Sequence, residues 1–405
     1  RGIRAIAANP GSINVVTDTN EFLTSTTVIT EERDSNIRFS SPSLFELYSI
    51  INVSCGAEHT IVCAFLQNQF YIFGSGSNSL GQLGLGKHVD YCERFKQVPL
   101  SNSQRFFQSV CGSFFTLLLT DTSTIWAFGH NNHGQLGADI NDTIVYQPIE
   151  VTTLKGIPIT HIAAGVSHSL ALSATGLIFA AGSNKQGQLG ISGTFDQYSF
   201  TCVESLSQVF IVFIAANGCY SAAIDEFGTL YVWGGQWGAY PQMVNFSDNQ
   251  EIFVDLALGN DGRFAALTSK GNLIVGGYYI DYDQVLTPVQ IISPNLSFQR
   301  VFSGGEYFVV VTSNYEKSPL APIYYNSGRS LLPPTPVEVK NRLRPRQRIL
   351  AFHNIKISNL LKIPGLDQAI NLIFSSLASL NASFLVDNFC ESMSTISSGI
   401  DVTAV

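Results

Sequence analysis

The chain has 405 residues, of which 45% are apolar and 13% charged, so it can bury a sizeable core and is not a wholly disordered polymer. Its formal net charge is −8, which argues against nucleic acid as a partner, because gripping phosphates takes a concentrated Lys/Arg surface. No apolar run reaches the roughly 20 residues of a membrane-spanning helix and no signal peptide is visible; the start at Arg1 rather than Met suggests a trimmed segment of something longer.

Gly (34), Phe (28) and Tyr (15) are plentiful while Met (2) is scarce. Glycine supplies turns and aromatic rings suit pleated, half-buried surfaces, so composition tilts towards β-structure. The seven cysteines are Cys55, Cys63, Cys92, Cys111, Cys202, Cys219 and Cys390, an odd number with no Cys-x-x-Cys pair. Several lie in apolar, strand-like runs. They are expected to be reduced and packed as small hydrophobes, in a cytoplasmic or nuclear protein.

Along the chain, a short block recurs. It starts weakly at Ile6-Ala-Ala-Asn9 and continues as Ser54-Cys-Gly56-Ala-Glu-His59, Val110-Cys-Gly112-Ser-Phe-Phe115 and Ile162-Ala-Ala-Gly165-Val-Ser-His168. Further copies follow at Ile214-Ala-Ala-Asn217, Leu256-Ala-Leu-Gly259 and Val301-Phe-Ser-Gly304. A second block follows three of them: Gly76-Ser-Asn78-Ser-Leu-Gly81-Gln82-Leu83-Gly84, Gly129-His-Asn131-Asn-His-Gly134-Gln135-Leu136-Gly137 and Gly182-Ser-Asn184-Lys-Gln-Gly187-Gln188-Leu189-Gly190. Nine residues matched three times at constant spacing are an internal repeat.

Seven copies of about 40–55 residues, each with several short strands, predict the blades of a β-propeller, in which sheets bury both faces against their neighbours. Gly56, Gly112, Gly165, Asn217, Gly259 and Gly304 read as turn residues with φ > 0, each feeding a strand that runs towards the axis. Gly81, Gly84, Gly134, Gly137, Gly187 and Gly190 read as structural turns of the second block. The alternation of the two blocks resembles the RCC1 (regulator of chromosome condensation) repeat over roughly residues 4–314. The resemblance implies an all-β, seven-bladed propeller. It weakens from the fifth copy, where Gly-Gln-Leu-Gly gives way to Gly234-Gly-Gln-Trp-Gly238, and the seventh copy ends near Asn314 without a second half. In this family strands from the chain's start close the ring, so the missing half is expected before Arg1, leaving an incomplete seventh blade.

Several local patterns have plainer readings. Gly81 to Lys87 fits G-x-x-x-x-G-K, but His88 stands where a phosphate-binding loop needs Ser or Thr, and the stretch belongs to the repeat. His130 and His133 lack a Cys or carboxylate placed to complete a metal site. His59 and His168 interchange with Phe115, Tyr220 and Tyr307, which points to packing with a polar tip. No catalytic constellation stands out and no cofactor is expected. Asp90, Glu93, Asp139, Asp142 and Asp196 follow the Gly-Gln-Leu-Gly blocks and are the candidate partner-binding residues of an acidic rim. Trp126, Trp233 and Trp237 are too scattered for the tryptophan-based ultraviolet sensing of one family branch.

Residues 315–347 form a Pro-rich, basic linker with Lys340, Arg342, Arg344, Arg346 and Arg348 close by. An α-helical segment is expected over 348–405, the beginning of a truncated second domain or a tail packed on the propeller. A short helix would end before Pro364, followed by an apolar stripe of Leu366, Ile370, Ile373, Phe374, Leu377, Leu380, Phe384 and Phe389. The stretch from Leu360 to Leu385 is similar in apolar spacing to the early helices of Dbl-homology exchange domains for Rho-type GTPases, without the charged residues of that family's first conserved region. Two functions follow as expectations: a monomeric, non-catalytic protein-interaction platform in small-GTPase signalling, or a guanine-nucleotide exchange factor for a Ran- or Rho-type GTPase.

Overall fold

The computed structural model describes residues 3–9, 12–26, 38–100, 104–244, 252–279, 284–291, 297–303, 308–313, 347–352 and 401–404. Each repeat folds into one four-stranded sheet. The first holds β1 (Ile3–Asn9), β2 (Ser12–Thr17), β3 (Phe22–Thr26) and β4 (Arg38–Ser40); the second β5 (Ser49–Cys55), β6 (His59–Leu66), β7 (Gln69–Ser77) and β8 (Tyr91–Gln97). The third comprises β9 (Phe106–Cys111), β10 (Phe115–Thr120), β11 (Ile125–His130) and β12 (Ile144–Val151). The fourth comprises β13 (Ile159–Ala164), β14 (His168–Ser173), β15 (Ile178–Gly182) and β16 (Gln197–Cys202). The fifth is β17 (Ile211–Asn217), β18 (Tyr220–Asp225), β19 (Leu230–Trp233) and β20 (Gln242–Met243), and the sixth β21 (Phe253–Leu258), β22 (Phe264–Thr268), β23 (Leu273–Tyr279) and β24 (Gln284–Ile291).

These six sheets are antiparallel and built from consecutive strands, as an all-β propeller requires. A further sheet starts with β25 (Ser297–Ser303) and β26 (Phe308–Ser313). It continues with β27 (Gln347–Phe352), antiparallel to β26, and β28 (Asp401–Ala404), parallel to β27. Residues 348–352, expected as helix, are therefore strand. A short run such as Ile349-Leu-Ala-Phe352 carries no period of its own, and pairing with β26 decides it. The linker before Gln347, the apolar stripe from Leu366 to Phe389, and Gly304 lie outside the described residues.

The first strand of each sheet packs beside the first strand of the next, from β1 through β25, and β25 lies against β1. The strand after each turn glycine is the second of its sheet, so the strand before it, not after it, is the inner one. The second strands are sandwiched: all six residues of β10, β14 and β18 are buried. Their side chains fill wedges between sheets, as where Leu117, Leu119 and Phe128 meet Ile61, Leu83 and Ile162. The inner strands are also stitched by side chains. Asn52 Oδ1 accepts from Ser109 N at 2.9 Å, Gln108 pairs with both the N and O of Ile162, and Asp255 Oδ2 accepts from Val301 N at 3.2 Å.

Strands alternate in direction, so the turn between first and second strands and the loop between third and fourth emerge at one end of the disc. The hairpins between second and third strands emerge at the other. One is a two-residue turn at Gln67 and Asn68, both with positive φ, which matches the twist of its strands.

Candidate interaction face

The loop end of the disc is built by the two repeated blocks. In the first, Gly56, Gly112, Gly165, Asn217 and Gly259 are not among the residues with positive φ, contrary to the sequence reading. Glycine is needed for another reason. A Cβ on Gly56 would lie 2.1 Å from the His59 ring, one on Gly112 1.9 Å from the Phe115 ring, and one on Gly165 2.2 Å from the His168 ring. The ring three residues on lies flat over a backbone that has no side chain. In the fifth copy Gly218 takes the positive φ, 56°, and Asn217 instead bonds across to Leu258 O at 2.8 Å.

In the second block, Gly81, Gly84, Gly134, Gly137, Gly187 and Gly190 do take positive φ, between 64° and 77°. The asparagine organises each loop. Asn78, Asn131 and Asn184 accept at Oδ1 from the N–H of Leu83, Leu136 and Leu189, and their Nδ2 atoms donate to carbonyls at the far end of the loop. Gln82, Gln135 and Gln188 cap the turn by accepting from the N–H two residues earlier. The leucines are fully buried plugs. The Asn, Gln and Leu of the block thus each have a mechanical role, and in the sequence Asn and Gln stand out only by their identity across three copies.

Every such loop leans on the next sheet. Gly86 N donates to Tyr146 O and Asp139 N to Tyr198 O, both at 2.9 Å, and Gly235 N donates to Gln186 O. The previous loop therefore covers the edge of the fourth strand of the third and fourth sheets. A hydroxyl of the next sheet also reaches back: Thr116 to Gln82 O at 2.8 Å, Ser169 to Gln135 O at 2.6 Å and Ser221 to Gln188 O at 2.7 Å. His59 Nε2 meets Thr116 Oγ1 at 3.0 Å and His168 Nε2 meets Ser221 Oγ at 2.8 Å. The hydroxyl proton is already committed to a carbonyl, so each imidazole is the donor and neutral. Burial drives both histidines down to about 3. Nearer the axis, Ala57 N–H donates to Ser113 O, Ser113 N–H to Val166 O and Val166 N–H to Gly218 O, a backbone belt across four sheets.

On this frame the five candidate acids differ. Asp90, Asp139 and Asp142 are exposed on the loops, with Asp139 at φ 56°. Glu93 is exposed but sits on β8 rather than on a loop. Asp196 is engaged: its Oδ2 is 2.7 Å from His133 Nδ1 in the preceding sheet, and its Oδ1 accepts from Asn184 N. Nothing in the sequence signals that staple, since His133 and Asp196 belong to different copies. Apolar side chains are exposed at the same end: Phe195 is 82% exposed, Tyr91 67% and Val166 45%.

Among the described residues no group of His, Cys, Asp or Glu could hold a metal ion. His130 Nδ1 accepts from Gln135 Nε2 at 3.2 Å, and burial, with His133 nearby, lowers the His130 pKa. Cys55, Cys63, Cys92, Cys111, Cys202 and Cys219 are free thiols, and burial pushes Cys55 up to about 11 and Cys63 and Cys111 up to about 12. These are poor nucleophiles. No helix among the described residues is long and apolar enough to cross a membrane.

A family model described as the regulator of chromosome condensation (RCC1) repeat matches residues 123–172, and a second of the same description matches 110–135 and 159–188. The human probable E3 ubiquitin-protein ligase HERC6 is 34% identical over 47% of this chain and 19% of its own length. The mitochondrial RCC1 domain-containing protein RUG3 of Arabidopsis thaliana is 42% identical over 40% of this chain and 34% of its own. The chain thus spans about a fifth and a third of these relatives. Among solved structures, human WBSCR16 superposes with a TM-score of 0.63 at 21% identity, over 75% of this chain and 85% of that one. Prp20p of Saccharomyces cerevisiae, whose structure was described with its binding to Gsp1p and histones, gives 0.62 at 16%, over 78% and 83%. These likenesses support the fold.

Proposed function

This chain carries RCC1 repeats on a β-propeller, and we propose that it is a protein-interaction platform whose loop end is the binding face. The observation that carries this reading is the stitching of that end. Loops, hydroxyls and a backbone belt tie neighbouring sheets, so exposed Asp90, Asp139, Asp142, Val166 and Phe195 are held on a preformed surface. A rigid surface loses little conformational entropy on binding. Glu93 and Asp196 flank it, the latter spent largely on His133.

The propeller is a monomeric ring of seven blades in this proposal, with β25–β28 as the last, supported by the contact of β25 with β1. Free thiols, with Cys63 buried and the other five described ones half-buried, favour a reducing compartment, cytoplasm or nucleus. The partner is a protein, with a small GTPase the leading class: Prp20p, which has the same fold, binds Gsp1p. HERC6 is named a ligase, but the matched stretch is a fifth of it, and the proposal assigns to this chain the binding part.

Guanine-nucleotide exchange is the second reading, through this face or a following Dbl-like domain. It needs no covalent chemistry, only a surface that favours the nucleotide-free GTPase. Release of a fluorescent GDP analogue from Ran-, Rho- and Rab-type GTPases separates the two. Acceleration that Asp139→Lys or Asp142→Lys abolishes would establish exchange on this face. Binding without acceleration would leave the platform.

A further inference from the structure

Between the second and third sheets the loop end opens into a groove of ≈ 710 Å³. Leu85, Lys87 and His88 form one wall, and Ile140, Asp142, Ile144 and Ile149 belong to the other. Ile140, Ile144 and Ile149 on that wall are each half-buried, so they keep apolar surface open to the groove.

Charge distinguishes what the groove would take. The loops at 78–90 and 131–143 carry Asp90, Asp139 and Asp142 against Lys87, and all four are exposed. None of the three acids is in an ion pair among the described residues. We infer that this groove receives an apolar side chain from a partner segment flanked by basic residues. The apolar anchor would sit against Ile144 and Ile149, and Asp139 and Asp142 would face its cationic neighbours. A desolvated anchor in a pocket can supply binding energy, and complementary charge around it supplies specificity and speeds encounter. The inference rests on reading the loop end as the binding face, and names the chemistry of one partner segment on it.

The probe is a fluorescein-labelled peptide, Gly-Lys-Arg-Leu-Arg-Lys-Gly, compared by fluorescence polarisation with a Leu-to-Ser version and with a version whose basic residues are Glu. We expect the leucine peptide to bind at least tenfold tighter than the serine one, and the acidic one not to bind. Asp142→Lys, at an exposed position, should weaken the leucine peptide at least fivefold. Ile149→Asp should erase the preference for leucine while thermal melting shows an intact fold; Ile144→Thr, milder on packing, should reduce it if Ile149→Asp unfolds. Equal binding of leucine and serine peptides, an unchanged preference in the groove variants, or no binding at all would overturn the inference. A whole partner protein whose binding still depends on Asp139 in that case would leave the face reading standing without the groove.

Discussion

His168 in the fourth sheet points its Nε2 at the Oγ of Ser221 in the fifth, 2.8 Å away, and that hydroxyl donates to the Gln188 carbonyl at 2.7 Å. One imidazole thus joins a turn to a neighbouring sheet and, through it, to its own sheet's Gly-Gln-Leu-Gly loop. Replacing His168 by Ala removes a fully buried ring and leaves a cavity, and should cost about 2–4 kcal/mol. Replacing it by Phe, the residue at the same place in the third sheet, should cost about 1 kcal/mol, since only the hydrogen bond is lost. Urea unfolding followed by tryptophan fluorescence measures both.

Acid should find the same two histidines. Burial lowers His59 and His168 from 6.5 to about 3, so below pH 6.5 the unfolded chain takes up protons that the folded one refuses. Stability is therefore full above about pH 6.5 and falls as pH drops towards 3, by up to about 1.4 kcal/mol per pH unit for each histidine. A variant with His59→Phe and His168→Phe should lose less stability than the parent between pH 6 and pH 4.5 in urea titrations.

At Gly112 the constraint is steric rather than conformational. Because a Cβ would stand 1.9 Å from the Phe115 ring, Gly112→Ala should destabilise by about 1–3 kcal/mol. Phe115→Ala clears that space, so the double variant should cost less than the sum of the single ones, a coupling that a thermodynamic cycle detects.

Asn184 holds a whole loop from inside, bonding Leu189 N and Gly193 O. Asn184→Ala strands both groups and should cost about 2–3 kcal/mol. Limited proteolysis should then cut between residues 185 and 195, where the parent resists.

The repeats, the all-β propeller and the glycine positions are legible because a nine-residue block with six shared positions recurs at fixed spacing. The reason for Gly56, Gly112 and Gly165 was not: the clash lies with a ring three residues on, and sequence alone offers positive φ as the commoner explanation. The place of the acids after the repeated blocks is legible in the sequence but their side-chain partners are not, because the pairing of Asp196 with His133 joins two repeats folded side by side. The inner-strand links from Asn52, Gln108 and Asp255 escaped notice for a similar reason. Each is a different polar residue at one shared position, so no motif repeats. The sequence of 348–352 reads as helix although it is strand, because a short apolar run has no period of its own.

Partners are expected to engage the end of the disc built by the Gly-Gln-Leu-Gly loops. Hydrogen exchange with mass spectrometry, on this chain alone and with a captured partner, tests it most directly. The account predicts slowed exchange at 57–58, 85–90, 113–114, 139–142 and 193–198, with the hairpins at 121–123, 174–176 and 226–228 unchanged. Protection confined to those hairpins, where Phe227 is 76% exposed, would place the binding face at the other end and contradict it.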